Sequence, residues 1–267
     1  MPLCIRTFDR SALSPDAKDG LTLEHIIPDA LGGQWKTLTC KVCNNSHGSA
    51  LDAHLVRMIS AENWQDGDGS TLRGSVSIDG VNLPMKIAWG GDGKPNLITV
   101  PGAKAETLDD FQTRMRTLQE GDEVQLKLNF NYIPARVQRA LVRIGYLAIF
   151  DHLGYEYVLS GAGTRVRRIF DGDHDDELWN LTPRVNVGDI QIKTPIIIAP
   201  LGQGAFVVAY LLLIRIEVRK RRHFAVLLPS SIIPEASVFP VLSEIRTTLQ
   251  GQQLAIRVHE QGGESIL

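Results

Sequence analysis

The sequence is short of cysteine, and what it has is confined to one end: Cys4, Cys40 and Cys43 are the only three in 267 residues. A disulfide framework needs more thiols spread along the chain, so the early placement points to metal or thiol chemistry instead. Charge of one sign in excess is also lacking. With 28 basic and 30 acidic residues the formal net charge is -2, which excludes a uniformly basic nucleic-acid-binding particle and leaves any phosphate-binding surface to a local patch. No apolar run reaches the ~20 uninterrupted residues of a membrane span. The most apolar stretch, Thr194 to Ile216, is broken by Pro195, Pro200, Gly202, Gln203 and Gly204; it reads as two buried strands, and no membrane association is expected. The first residues, MPLCIRTFDRS, lack the basic start and apolar run of a secretory signal, so a cytoplasmic protein is expected. Internal repeats and low-complexity segments are absent as well.

What is present is an ordinary globular composition, 43% hydrophobic and 22% charged, in a chain long enough for a small module joined to a larger one. Residues 1 to about 58 hold every cysteine and three of the seven histidines, His25, His47 and His54, and a boundary is placed near Ala61. The expected domains are therefore 1–60 and 61–267. In the second part, Gln65 to Ser70 and Gly90 to Gly93 read as turns, and Leu72–Ile78, Leu83–Trp89, Leu97–Val100 and Val124–Phe130 read as strands. A polar helix fits Leu108 to Gln119. The clearest helix runs from about Pro134 to Leu153, with proline at its start and Gly154 past its end. Val137, Leu141, Ile144 and Ala148 follow a helical period and should pack on a sheet, while Arg136, Arg139 and Arg143 share another face, a candidate DNA surface. Ile190–Ile192, Ile196–Ile198, Phe206–Ile216 and Phe224–Leu228 read as further strands, so the second part is a mixed α+β domain with an antiparallel sheet and one long helix.

The informative segment is Leu21-Thr-Leu-Glu-His-Ile-Ile-Pro-Asp-Ala-Leu-Gly-Gly33, followed by Leu38-Thr-Cys-Lys-Val-Cys-Asn-Asn-Ser-His-Gly48. A Glu-His pair alone means little, and a lone Cys-x-x-Cys is moderate support for zinc; their order and spacing together are specific. The stretch resembles the HNH endonuclease family, the His-Me or ββα-metal finger nucleases. Their finger carries an acidic residue and a histidine on its first strand, then a proline and a Gly-Gly turn, and a helix opening with Cys-x-x-Cys-Asn. The resemblance covers about the first 55 residues and implies an N-terminal ββα-metal finger that hydrolyses DNA phosphodiester bonds.

Such hydrolysis needs an activated water, charge neutralisation on the transition state and stabilisation of the departing 3'-oxygen, which an imidazole and one divalent cation can supply. The resemblance implies His25 as general base and Asn44 as a catalytic metal ligand. Glu24 and Asn44 offer hard oxygens suited to Mg²⁺ or Mn²⁺, with Ni²⁺ a further candidate, and His47, three residues after Asn44, would share its helix face and complete the site. His54 and His152 read as bystanders on helices.

Two positions depart from the family pattern. Relatives often carry a second Cys-x-x-Cys near the start, closing a structural zinc site of four thiolates; here Thr7 stands at the required spacing from Cys4. That leaves Cys4, Cys40 and Cys43, with Asp9, a nearby histidine or water as fourth ligand, or a finger without zinc. Trp35 stands where many of these enzymes have an asparagine that bonds across the loop and orients the base.

Two basic clusters interrupt the neutral chain: Arg165 to Arg168, and Arg215 to Arg222. In the second, Arg219, Lys220, Arg221 and Arg222 at a hairpin are candidate phosphate contacts, the alternative being a solvated hairpin that protects an edge strand. The acidic run Asp171 to Glu177 reads as a solvated loop. The resulting expectation is a cytoplasmic, prokaryotic-type endonuclease acting on DNA, in host defence or mobile elements as the resemblance implies. Its C-terminal extension would serve DNA contact, dimerisation or a regulatory partner. The competing expectation is a non-catalytic zinc-finger-like DNA-binding or adaptor protein.

Overall fold

A computed structural model describes residues 1–14, 16–67, 71–89, 95–99, 105–129, 131–173, 175–184, 194–203 and 206–249. The turn expected at Gly90–Gly93 and the strand expected at Ile190–Ile192 lie outside them. The chain divides into two compact units: one joins Met1–Leu51 to Gln138–Glu217 and Arg221–Leu267, the other is Asp52–Val137 with Val218–Lys220. All pairings whose register is resolved are antiparallel, giving the mixed α+β class.

The first unit opens with a hairpin of β1 (Leu21–His25) and β2 (Lys36–Cys40), in the register Leu21↔Cys40 to His25↔Lys36. The chain passes directly into α1 (Lys41–His47), which packs on both strands. The loop between the strands explains its own sequence. Ile26 N–H donates to Trp35 O (2.9 Å), Pro28 O accepts from Leu31 (2.8 Å), and Gly32 turns the chain at φ +79. A Cβ on Gly33 would lie 1.7 Å from Ile27 O, so only glycine fits there.

The hairpin's companions come from far along the chain. The helix α4 (Pro134–Leu153) matches its expected bounds and is buried on every side from Ala140 to Ile149. It packs as expected on a sheet, of order β7 (Ile196–Gln203), β8 (Phe206–Val218) and β9 (Lys220–Pro229); a Cβ on Gly145 would lie 2.8 Å from Val226 Cγ1 of β9. Helices α5 (Tyr155–Leu159), α6 (Gly161–Asp171), α7 (Leu178–Leu181) and α8 (Val238–Leu249) complete the unit. The Arg165–Arg168 cluster is dispersed around α6: Arg165 pairs with Glu177, Arg167 donates to Tyr146 Oη, and Arg168 pairs with Glu235. The helical period separates charges that are consecutive in sequence, so no basic patch forms there.

The second unit is a four-stranded sheet of order β5 (Pro95–Thr99), β4 (Val81–Trp89), β3 (Thr71–Ile78), β6 (Gln125–Leu128), against which α2 (Ala53–Gln65) and α3 (Ala105–Thr117) pack. Alternation on β3 buries Leu72, Val76 and Ile78 beside Leu83, Met85, Ile87, Trp64 and Phe111. The Asp79-Gly80 pair, both at positive φ, closes the β3–β4 hairpin. His54 of α2 is buried; its Nδ1 accepts from Ile133 N–H at 3.0 Å and its Nε2 lies 3.2 Å from Arg136 Nη1.

Burial, and then the charges of Arg136 and Arg57, hold the His54 imidazole below its ordinary value of 6.5. The unfolded chain therefore takes up this proton first, so the contribution to stability is complete above pH 6.5 and is lost as pH falls through the folded value. Melting curves across that range should show the parent losing stability on acidification more steeply than His54→Gln. Identical slopes for the two proteins would dismiss the assignment.

Candidate metal and nuclease site

Successive side chains of a strand point to opposite faces, and β1 uses both. Glu24 turns inward and is 6% exposed, whereas Leu23 (60% exposed) and His25 lie on the other face. Glu24 Oε1 accepts a hydrogen bond from Nη1 of Arg143 (2.9 Å), itself wholly buried on α4. Of the Arg136-Arg139-Arg143 face, Arg143 is thus withdrawn from any DNA surface. Arg143 faces Glu24 in the interior, Arg139 donates to Gly172 O, and Arg136, though exposed, lies against His54; α4 is covered on every side only from Ala140 to Ile149. Taking one partner out of such a buried pair strands the other charge, a loss of about 3–5 kcal/mol.

His25 stands at the end of β1 with a quarter of its side chain exposed, and its Nε2 lies 3.8 Å from Asp29 Oδ1. That separation is too long for a hydrogen bond. Pro28 and the following 3₁₀ turn (Asp29–Leu31) bring Asp29 back toward the strand end. Asp29 did not figure among the site residues expected from sequence; its signal was a carboxylate four residues after the histidine, straight after the proline. Trp35 contributes its main chain, accepting from Ile26 N–H, so the bond across the loop needs no asparagine side chain.

Asn44 and His47 lie one turn apart on α1, both half-buried. His47 Nε2 lies 3.1 Å from Asp171 Oδ1 at the end of α6, and the ring meets Phe170 edge-on at 5.6 Å. Its Nδ1 is buried with no hydrogen-bond partner. A carboxylate on one ring nitrogen and an unengaged second nitrogen is the donor pattern of a metal-ligating imidazole. Asn44 and His47 thus suit a divalent cation in donor chemistry, whereas the Glu24 carboxylate, also expected as a ligand, is engaged by Arg143. Among the described residues, however, the only group of three or more His, Cys, Asp or Glu donors that converges is the three cysteines, so Glu24, His25 and His47 do not gather in that way.

The sulfurs of Cys4, Cys40 and Cys43 all lie within 4.8 Å of one another, and Cys4 Sγ is 3.6 Å from Cys40 Sγ. A tetrahedral zinc with Zn–S bonds of about 2.3 Å sets its sulfurs about 3.8 Å apart, so the cluster fits that ion. Cys40 caps α1, its sulfur accepting from Cys43 N–H at 3.4 Å. Burial pushes the Cys40 thiol up, but hydrogen bonds from Cys43 and Cys4 and the charge of Arg6 bring it below its ordinary value; burial and the neighbouring Cys40 push Cys43 well up. Ile5, a β-branched residue at φ +57, holds the strained turn that presents Cys4. Among the described residues, no histidine or carboxylate joins the three sulfurs. Asp9, a candidate fourth ligand, instead caps a 3₁₀ turn, accepting from Ser11 N–H and its hydroxyl.

Arg219 (φ +63) forms the tip between β8 and β9. Lys220 lies 3.4 Å from Asp66 and Arg221 3.2 Å from Glu217, exposed pairs on each count. Pairs of this kind contribute less than about 1 kcal/mol, so they leave the cations able to exchange partners for phosphates.

Residues 14–60 match the family model described as HNH endonuclease, in agreement with the motifs. No curated protein and no solved structure matches the chain. No helix among the described residues is long and apolar enough to cross a membrane.

Metal analysis of the purified protein should find about one zinc per chain, and Cys40→Ala should lose it and melt at a lower temperature. Equal zinc content and equal melting temperature in the two proteins would remove the cysteines from any metal site.

Proposed function

We propose that the chain is a metal-dependent HNH-type endonuclease that hydrolyses DNA phosphodiester bonds, with residues 1–60 as its nuclease module and β1, β2 and α1 as its ββα finger. The observation that carries this reading is the placement of His25: an accessible imidazole at the end of the first strand, beside Asp29, within the segment that matches the family. His25 takes a proton from the attacking water. Asn44 and His47 would hold the divalent cation, Mg²⁺ or Mn²⁺, with Asp171 fixing the His47 ring; Glu24 is the third donor expected from sequence. When bound, the cation supplies charge neutralisation on the scissile phosphate. The cysteine trio would hold a structural zinc behind the same helix.

Incubation with supercoiled plasmid and Mg²⁺, Mn²⁺ or Ni²⁺ tests this directly. Loss of general-base catalysis predicts that His25→Ala is slower by about 10²–10⁴-fold while its melting temperature is unchanged. Equal rates for variant and parent would reject the catalytic role, and retained DNA binding without any cleavage by the parent would favour the non-catalytic alternative.

We further infer that Arg219, Lys220, Arg221 and Arg222 contact phosphates, on the strength of the exposure of the first three, with Arg222 half-buried beside them, at a hairpin tip. Each lost phosphate contact lowers the slope of log affinity against log salt by about 0.9 on duplex DNA. Replacing all four with glutamine in the His25→Ala background should flatten that slope markedly; parallel salt lines would place the hairpin off the DNA.

A further inference from the structure

We propose that Arg143 is a positioning residue of the nuclease site: its buried guanidinium fixes Glu24, and through it the strand end that carries His25, so the C-terminal extension completes the site. This rests on the nuclease reading above. A cation in the middle of a helix buried from Ala140 to Ile149 loses its hydration, and an apolar side chain of similar volume would pack there without that penalty. Its retention is explained by its partner. Glu24 immediately precedes His25 on a strand of five residues, and inward fixing of one side chain sets the outward direction of the next.

Two further contacts from the same part of the chain act on the other parts of the finger. Tyr146, one turn beyond Arg143, donates its hydroxyl to Pro2 O at 3.1 Å, two residues before Cys4. Asp171 holds His47 of α1. Strand β1, helix α1 and the segment leading to Cys4 are therefore each held by a residue between 143 and 171. Arg143 differs from the other two in acting on the residue adjacent to the base.

The test is single-turnover cleavage of duplex DNA, together with Mn²⁺ affinity from water-proton relaxation. The proteins compared are the parent, Arg143→Met, Arg143→Lys, Glu24→Gln and Glu24→Gln/Arg143→Met. Groups that orient a metal site from outside it change affinity or activity by about 10–100-fold. Arg143→Met should slow cleavage and weaken Mn²⁺ binding in that range, Arg143→Lys should recover part of the loss, and Arg143→Met should have no further effect in the Glu24→Gln background. If Arg143→Met fails to fold, the double variant, which strands no buried charge, still gives the comparison with Glu24→Gln. Arg143→Met behaving as the parent, or slowing cleavage by the same factor in both backgrounds, overturns the inference while leaving the nuclease reading intact. A parent that cuts no faster than His25→Ala overturns the nuclease reading, and this inference with it.

Discussion

A guanidinium shut away from water must be met by a carboxylate, and in this chain the two are 119 residues apart in sequence: Arg143 on α4 and Glu24 on β1. The pair requires the N-terminal hairpin and the long helix to belong to one packed body. That requirement accounts for the division of the chain, in which Met1–Leu51 is grouped with Gln138–Glu217 and not with the sequence that directly follows it. Asp52–Val137, together with Val218–Lys220, forms a separate unit, and the first unit is assembled from the three remaining segments.

The same constraint separates what was legible in the sequence from what was not. Local signals were faithful. Pro134 and Gly154 bracket α4, the alternation of Leu72 to Ile78 gives β3, and Pro28 with Gly32-Gly33 marks the turn where Ile27 O leaves no room for a Cβ. Long-range burial left no local trace. Arg143 falls on a helical stripe with Arg136 and Arg139, and nothing in the periodicity distinguishes a solvated arginine from one buried against a carboxylate more than a hundred positions away. The boundary near Ala61 was read from a change in composition, and composition does not report which distant segments pack together. Helices α5 and α7 were missed because they are short, α6 because its arginines read as a basic cluster, and α8 because Pro240 obscures its start.

Within the site, the sequence identified residue types more reliably than it identified their company. His25, Asn44 and the cysteines lie on the elements expected of them, and Cys4 reaches Cys40 and Cys43 across the fold even though Thr7 occupies the fourth thiolate position. Their surroundings were less legible: Asp29 beside His25 is near in sequence, whereas Asp171 beside His47 and Arg143 beside Glu24 lie far along the chain. The acidic run that begins at Asp171 reads as solvent-exposed loop, yet its first residue closes α6 and holds the His47 ring. His25 and His47 thus stand beside the exposed carboxylates Asp29 and Asp171, whereas Glu24 meets the wholly buried Arg143.

The central claim is that the reactive face of the finger is held in place by the extension behind it. The most direct measurement is a crystal structure of the His25→Ala protein bound to duplex DNA and Mn²⁺, with the manganese located by its anomalous scattering. The account predicts a manganese peak at Asn44 beside a phosphate of the duplex, with Arg143 still bonded to Glu24. A manganese peak remote from Asn44, or an Arg143 released from Glu24 in the bound state, would contradict it.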